Sequence, residues 1–125
     1  ILSTVVATLT LPLRWLFSKN NKKHGVDIVD SSNIDNYLEK ELVLLEFWAE
    51  WCGPCLMMNS VINNFAEHSK DVHIGKVNVD LNSQIAKKFH IKGLPQFLLL
   101  KKGIEIKRHT GPMTLEELKE FTCRI

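Results

Sequence analysis

The chain has 125 residues, 45% hydrophobic and 24% charged, which suits one globular domain and excludes two-domain, disordered and collagen-like readings. A domain of this size buries roughly two thirds of the surface its unfolded chain exposes, so its three cysteines are not needed as a scaffold and are free for chemistry. The net charge of +2 is concentrated in residues 1–25, where Arg14, Lys19, Lys22 and Lys23 meet no acid; the remaining hundred residues, with 12 Lys+Arg and 14 Asp+Glu, lack the basic stripe that a nucleic-acid binder needs.

The first segment, ILSTVVATLTLPLRWLFSKNNKKHG, is apolar from Ile1 to Phe17 and then abruptly basic, as in the h-region of a secretory signal or signal anchor. Pro12 and Arg14 interrupt it, so it falls short of the roughly 20 apolar residues of a spanning helix. Membrane contact is therefore expected only through this leader, if it is retained. Ile1 in place of a methionine predicts a basic n-region upstream. The competing expectation is an N-terminal strand or helix packed on the domain. Asn20 to Gly25 reads as a linker, which divides the chain into a leader at 1–25 and a folded domain at 26–125. The leader predicts a secreted or vacuolar location ahead of a cytoplasmic one.

VDIVD at 26–30 reads as a strand and SSNIDNYLEK at 31–40 as a helix capped by Ser31 or Ser32. LVLLEFWA at 42–49 is the strongest strand signal, and its continuous apolar run predicts burial on both faces of a helix-covered sheet. Residues 52–70 read as a helix with Met57, Met58, Val61, Ile62 and Phe65 as its inward stripe. VHIGKVNVD at 72–80 is a strand, SQIAKKF at 83–89 a short helix and IKGLP a turn. QFLLLKK and IEIKRH are two strands about a turn at Gly103, and a last helix runs from Met113 or Thr114 to about Cys123, with Cys123 facing the core. The order βαβαβαββα predicts an α/β fold, a mixed central sheet with helices on both faces.

The chemistry sits at WCGPC, residues 51–55, between a buried strand and a helix. Two thiols three residues apart lie on one side of a helical turn, close enough for a small disulfide ring. Cys52 falls at the helix N-terminus, where free N–H groups and the helix dipole stabilise a thiolate, and this makes it the nucleophile. Cys55, one turn inside, is the resolving thiol that attacks the mixed disulfide. Gly53 lets the chain turn closely, and Pro54 fixes φ where a missing N–H costs nothing. The competing reading of a CxxC pair, half of a structural zinc site, needs two further ligands. Only Cys123 remains, and His68, His73, His90 and His109 lie on separate elements. Dithiol chemistry requires neither a cofactor nor a metal.

FWAEWCGPC, the KVNVD strand and GLPQFLLLKKG together resemble the thioredoxin family, over residues 26 to about 124. The resemblance implies the thioredoxin fold and a thiol–disulfide oxidoreductase that reduces protein disulfides and is recharged by an upstream reductant such as a thioredoxin reductase. Trp51 matches the tryptophan beside the family's active site. Pro95 matches the cis-proline that packs on the dithiol, and such a bond presents the Leu94 backbone to an extended substrate as an added strand. By the same matching Val79, Gly93, Thr110 and Gly111 complete a docking groove, although each is equally a turn or packing residue. Glu46 stands where most thioredoxins place an aspartate that relays protons to the resolving thiol. Burial in the central strand should raise its pKa toward neutrality, as suits a general base. Lys76 matches the lysine that pairs with this carboxylate, and its alternative is a surface lysine lying along apolar neighbours.

Three departures from the family pattern stand out. Glutamate replaces aspartate at Glu46, as in protein disulfide isomerase domains, and leaves the working direction open. Leu56 replaces a frequent lysine and makes the rim of the site more apolar, which predicts a different choice of partners. Ser60 replaces a helix-kinking proline and predicts a straighter helix. The Gly-Pro pair between the cysteines favours the reducing end of the family's range. Cys123 has an intermolecular or regulatory disulfide as its second reading, and His109 is either a tuner of Cys52 or a surface histidine. The leader, the Asn/Lys-rich linker and the CGPC domain together resemble the secreted thioredoxins of malaria parasites. That resemblance implies the parasitophorous vacuole and association with a protein-export translocon, where cargo is reduced before threading. A disulfide isomerase or oxidase and a redox-dispensable translocon subunit are the alternative functions.

Overall fold

The computed structural model describes residues 25–123, and the expectations for the leader and for the linker up to His24 lie outside the described residues. The chain then runs β1 (Val26–Ile28), α1 (Ile34–Leu38), β2 (Leu42–Trp48), α2 (Gly53–His68), β3 (His73–Asn78), α3 (Ser83–Lys88), β4 (Gln96–Lys101), β5 (Ile104–Thr110) and α4 (Leu115–Cys123). The strands form one five-stranded sheet in the order β1-β3-β2-β4-β5. β3 lies parallel to both β1 and β2, while β4 is antiparallel to β2 and β5. The parallel pairs require helical crossovers, whereas β4 and β5 join in a tight hairpin. Lys102 and Gly103 turn that hairpin with φ of 49° and 82°, the left-handed pair that matches the twist of the strands.

β2 is the middle strand, and side chains alternate across it. Leu42 and Leu44 face a layer built with Phe97, Leu99, Met58, Ile62 and Phe65, closed by Leu118 of α4. Val43, Leu45 and Phe47 face the opposite layer with Val77, Leu98, Leu100, Ile34 and Tyr37 of α1, and Ile85 of α3. Helices therefore cover both faces. Gly75 of β3 leaves room for this second layer, because a Cβ there would lie 2.6 Å from Val29 Cγ2 and 2.9 Å from the Tyr37 ring.

Three local expectations are corrected. α1 starts at Ile34 with Asn33 at its N-cap and no side-chain capping bond, so neither Ser31 nor Ser32 is the cap. Instead the Asp30 carboxylate accepts from both the backbone N–H and the hydroxyl of Ser32, which shapes the turn before the helix. Met57 is 77% exposed, since it is rotated about 100° from Met58 around α2, whereas the half-buried Val61 packs against the core as expected. Cys123 is exposed: α4 turns Leu118 and Thr122 inward, and Cys123, one residue further, faces out. Thr114 caps α4 by the reciprocal pattern, its hydroxyl accepting from Glu117 N–H while Glu117 Oε1 accepts from Thr114 N–H.

Candidate active site

β2 ends at Trp48, and the next turn delivers Cys52 to the N-cap of α2 in an extended conformation. Pro54 occupies the first helical turn, where no N–H is missed. The Cys52 and Cys55 sulfurs are joined as a disulfide with the two Cα atoms 5.3 Å apart. Cys52 is 5% and Cys55 1% exposed, and they pack with Ala49 against Trp48, Val79 and Leu94. The ring thus sits at the positive end of a sixteen-residue helix and in an apolar wall.

Leu94 precedes the cis bond to Pro95. The carbonyl of Pro95 accepts from Gly111 N–H at 2.8 Å, which ties this loop to the end of β5. Gly93 faces Thr110 so closely that a Cβ would stand 2.8 Å from its methyl group, and Gly111 adopts a φ of +104°. The Thr110 hydroxyl donates to Gln96 Oε1 at 2.9 Å, and Gln96 Nε2 donates to the His109 carbonyl at 3.0 Å. Hydrogen bonds therefore tie Pro95 to Gly111 and Gln96 to Thr110, Gly93 lies against the Thr110 methyl, and Leu94 and Val79 pack on the wall beside the disulfide. His109 instead stacks edge-on against Phe121 of α4.

Trp51 is 71% exposed and is held by one hydrogen bond, Nε1 to Asp80 Oδ2 at 2.9 Å. Leu56 and Met57 are also exposed, so Trp51, Leu56 and Met57 together present an apolar surface beside the disulfide, with the carboxylate of Asp80 at its edge. Ser60 lies on the outside of an uninterrupted α2.

Glu46 sits across from Lys76 in the β2–β3 register. It is fully buried, and neither carboxyl oxygen has a hydrogen-bond partner among the described residues. Lys76 Nζ is 3.8 Å from Glu46 Oε1, an ion-pair distance too long for a hydrogen bond. Burial pushes the Glu46 carboxyl from 4.5 up to about 7, against the smaller opposing pull of Lys76, first through its charge and then through a weak polar attraction stretched to 3.8 Å. Lys76 itself donates to Asn59 Oδ1 at 2.6 Å and lies 4.4 Å above the Trp48 ring. Its side chain is only 18% exposed.

Three of these residues are not singled out by sequence reasoning. Asn59 follows Cys55 by four residues, so the helical period alone puts both on one flank of α2. Asp80 ends the KVNVD segment, and because β3 runs parallel to β2 its end must lie beside Trp51. Trp48 is visible only as part of an apolar run.

The thioredoxin family model matches residues 25–124. A thioredoxin of Chlamydia pneumoniae is 41% identical over 86 residues, spanning 69% of this chain and 84% of the relative. The chain belongs to the thioredoxin family. Among solved structures, a thioredoxin of Nicotiana alata superposes with a TM-score of 0.72 at 34% identity, covering 77% of this chain and 88% of that one. The N21Q mutant thioredoxin of Halobacterium salinarum gives 0.74 at 27% identity, covering 80% and 89%. The chain is accordingly a thioredoxin-type thiol–disulfide oxidoreductase, a disulfide reductase that meets disulfide substrates on one side and a reductant on the other.

Proposed function

We propose that this thioredoxin reduces protein disulfides, with Cys52 as the attacking thiol, Cys55 as the resolving thiol and Glu46 as the proton relay. The observation that carries this reading is the buried Cys52–Cys55 pair at the N-terminus of α2, walled by Leu94 of the cis bond. The Cys52 thiolate attacks one sulfur of a substrate disulfide; the Cys52–substrate bond forms, the substrate S–S bond breaks, and one substrate thiolate leaves. Ionised Glu46 takes the Cys55 proton. The Cys55 thiolate then attacks Cys52, closing the Cys52–Cys55 bond and releasing the second substrate thiol. The substrate gains two electrons, which the protein dithiol loses and an upstream reductant later returns.

Substrate enters as an extended segment paired with the Leu94 backbone, over the rim formed by Val79, Gly93, Thr110 and Gly111, with Trp51 as the outer flank. Lys76 moderates Glu46 by its charge. The apolar, basic leader at 1–25 supports delivery to a secretory or vacuolar compartment, and the proposal that cargo of a protein-export translocon is the substrate rests on the resemblance of leader, linker and CGPC domain alone. Glutamate at this position of β2 favours a second reading, a disulfide isomerase.

The reduction potential of the Cys52/Cys55 pair, equilibrated against a glutathione series and read by mass after alkylation, decides between them. A value near about −270 mV, typical of reducing thioredoxins, supports the reductase, and one near about −180 mV, typical of disulfide isomerases, overturns it. In cells, a Cys52→Ser/Cys55→Ser protein that still supports assembly and export would reassign the chain to a redox-dispensable subunit.

A further inference from the structure

Lys76 Nζ has three protons to donate and no acceptor capacity, so its neighbours fix what it does. The short contact goes to Asn59 Oδ1, at 2.6 Å, while Glu46 Oε1 stands off at 3.8 Å and the Trp48 ring lies 4.4 Å beneath. Because lysine only donates, the amide oxygen of Asn59 must be the atom that faces it. The carboxylate that would be the stronger acceptor is left without any hydrogen bond, although a move of about one ångström would give it one in the usual range. Asn59 sits one helical turn beyond Cys55, on an element that the β-sheet packing holds in place.

We infer that Asn59 is a positioning residue that holds the Lys76 ammonium off the Glu46 carboxylate, so that Lys76 acts on Glu46 chiefly as a nearby charge and not as a close hydrogen-bond donor. The inference deepens the relay reading above and rests on it for its catalytic meaning. A hydrogen bond from Lys76 would stabilise ionised Glu46 and weaken it as a base for Cys55. The tether prevents this with a neutral amide, which adds no further charge to the site. From the other elements packed on this side, α2 turns Cys55 and the apolar Met58, Ile62 and Phe65 toward the sheet, β4 offers Phe97 opposite Glu46, and α4 offers Leu118. Asp30 and Glu50 line the groove into which Lys76 opens, together with Trp48.

The test follows the side-chain carboxyl carbon of Glu46 by NMR across pH, in the reduced full chain labelled at glutamate. In Asn59→Ala the Glu46 midpoint should fall by about 1 pH unit as Lys76 settles on the carboxylate. In Asn59→Asp, which restores the anchor, it should stand at or above the wild-type midpoint. In a Lys76→Met background, Asn59→Ala should move nothing. An unmoved or raised midpoint in Asn59→Ala, or an equal fall without Lys76, overturns the assignment. The relay reading fails separately: Glu46→Gln would then resolve a Cys52 mixed disulfide at the wild-type rate throughout the pH range, whatever Asn59 does to the midpoint.

Discussion

Replacing Glu46 with glutamine removes a charge from the middle of the sheet while keeping its shape, and the structure sets both the size and the pH window of the effect. Burial raises the carboxyl from 4.5 to about 7 in the folded protein. Below the lower value the group is neutral in both states and costs nothing. Between the two, the unfolded chain ionises first and binds fewer protons than the folded one, so wild-type stability falls as pH rises. Above the folded value the loss is complete, and at about 1.4 kcal/mol per pH unit it amounts to about 3 kcal/mol. The glutamine amide cannot ionise, so Glu46→Gln should match the wild type near pH 4.5 and exceed it by about 3 kcal/mol at pH 8. Urea denaturation of the oxidised proteins reads this as a midpoint difference that grows to about 1.5 M. Taking the difference between the two proteins cancels the other titrating groups. Two stability curves that run parallel from pH 4.5 to 8 would refute the argument, because they would mean that the carboxylate is solvated in the folded state.

Cys55→Ser should convert the protein into a trap that accumulates a mixed disulfide with its substrate through Cys52, visible on a non-reducing gel, whereas Cys52→Ser should trap nothing. Gly75→Ala should cost about 1–3 kcal/mol in urea denaturation, because the added methyl meets Val29, Tyr37 and Leu45 at 2.6, 2.9 and 3.1 Å; a neutral outcome would mean that the layer beneath β3 is loosely packed. Tyr37, the sole tyrosine of the chain, is raised well above its ordinary 10.0 by burial and by its hydrogen bond to Asp27. Its absorbance at alkaline pH should therefore stay that of the phenol until the domain unfolds, and a free titration near 10 in folded protein would contradict the packing of α1.

The fold is legible where the signal is long or periodic. The apolar run of β2, interrupted only by Glu46, reads as a strand covered on both sides, and the CGPC turn after it reads as the opening of a helix. What escapes is set by contacts between elements distant in sequence. Asn33 and Asp30 decide where α1 starts through a local turn that competes with the serines, and serine propensity alone points to the wrong cap. Met57 reads as core because a run of apolar residues is ambiguous in helical phase until the neighbouring β-sheet selects one face. The exposure of Cys123 follows from the same choice of phase in α4. At the site, Cys52, Cys55, Glu46, Lys76 and Pro95 are recognisable from residue type and resemblance, but the Asn59 and Asp80 contacts arise only when α2 crosses the sheet and when β3 lies parallel to β2.

The central place of β2 bears on how this domain breathes. The cysteine loop hangs from the strand with a hydrogen-bonded neighbour on each side, while β1 and β5 form the two margins. Amide exchange should be fastest at those margins and slowest along Val43–Phe47, whose exchange requires opening of the whole domain. The redox centre is thus fastened to the last region to open, and the outer strands are the places where a tether, a fused partner or an inserted segment changes what the domain is attached to without disturbing its thiols.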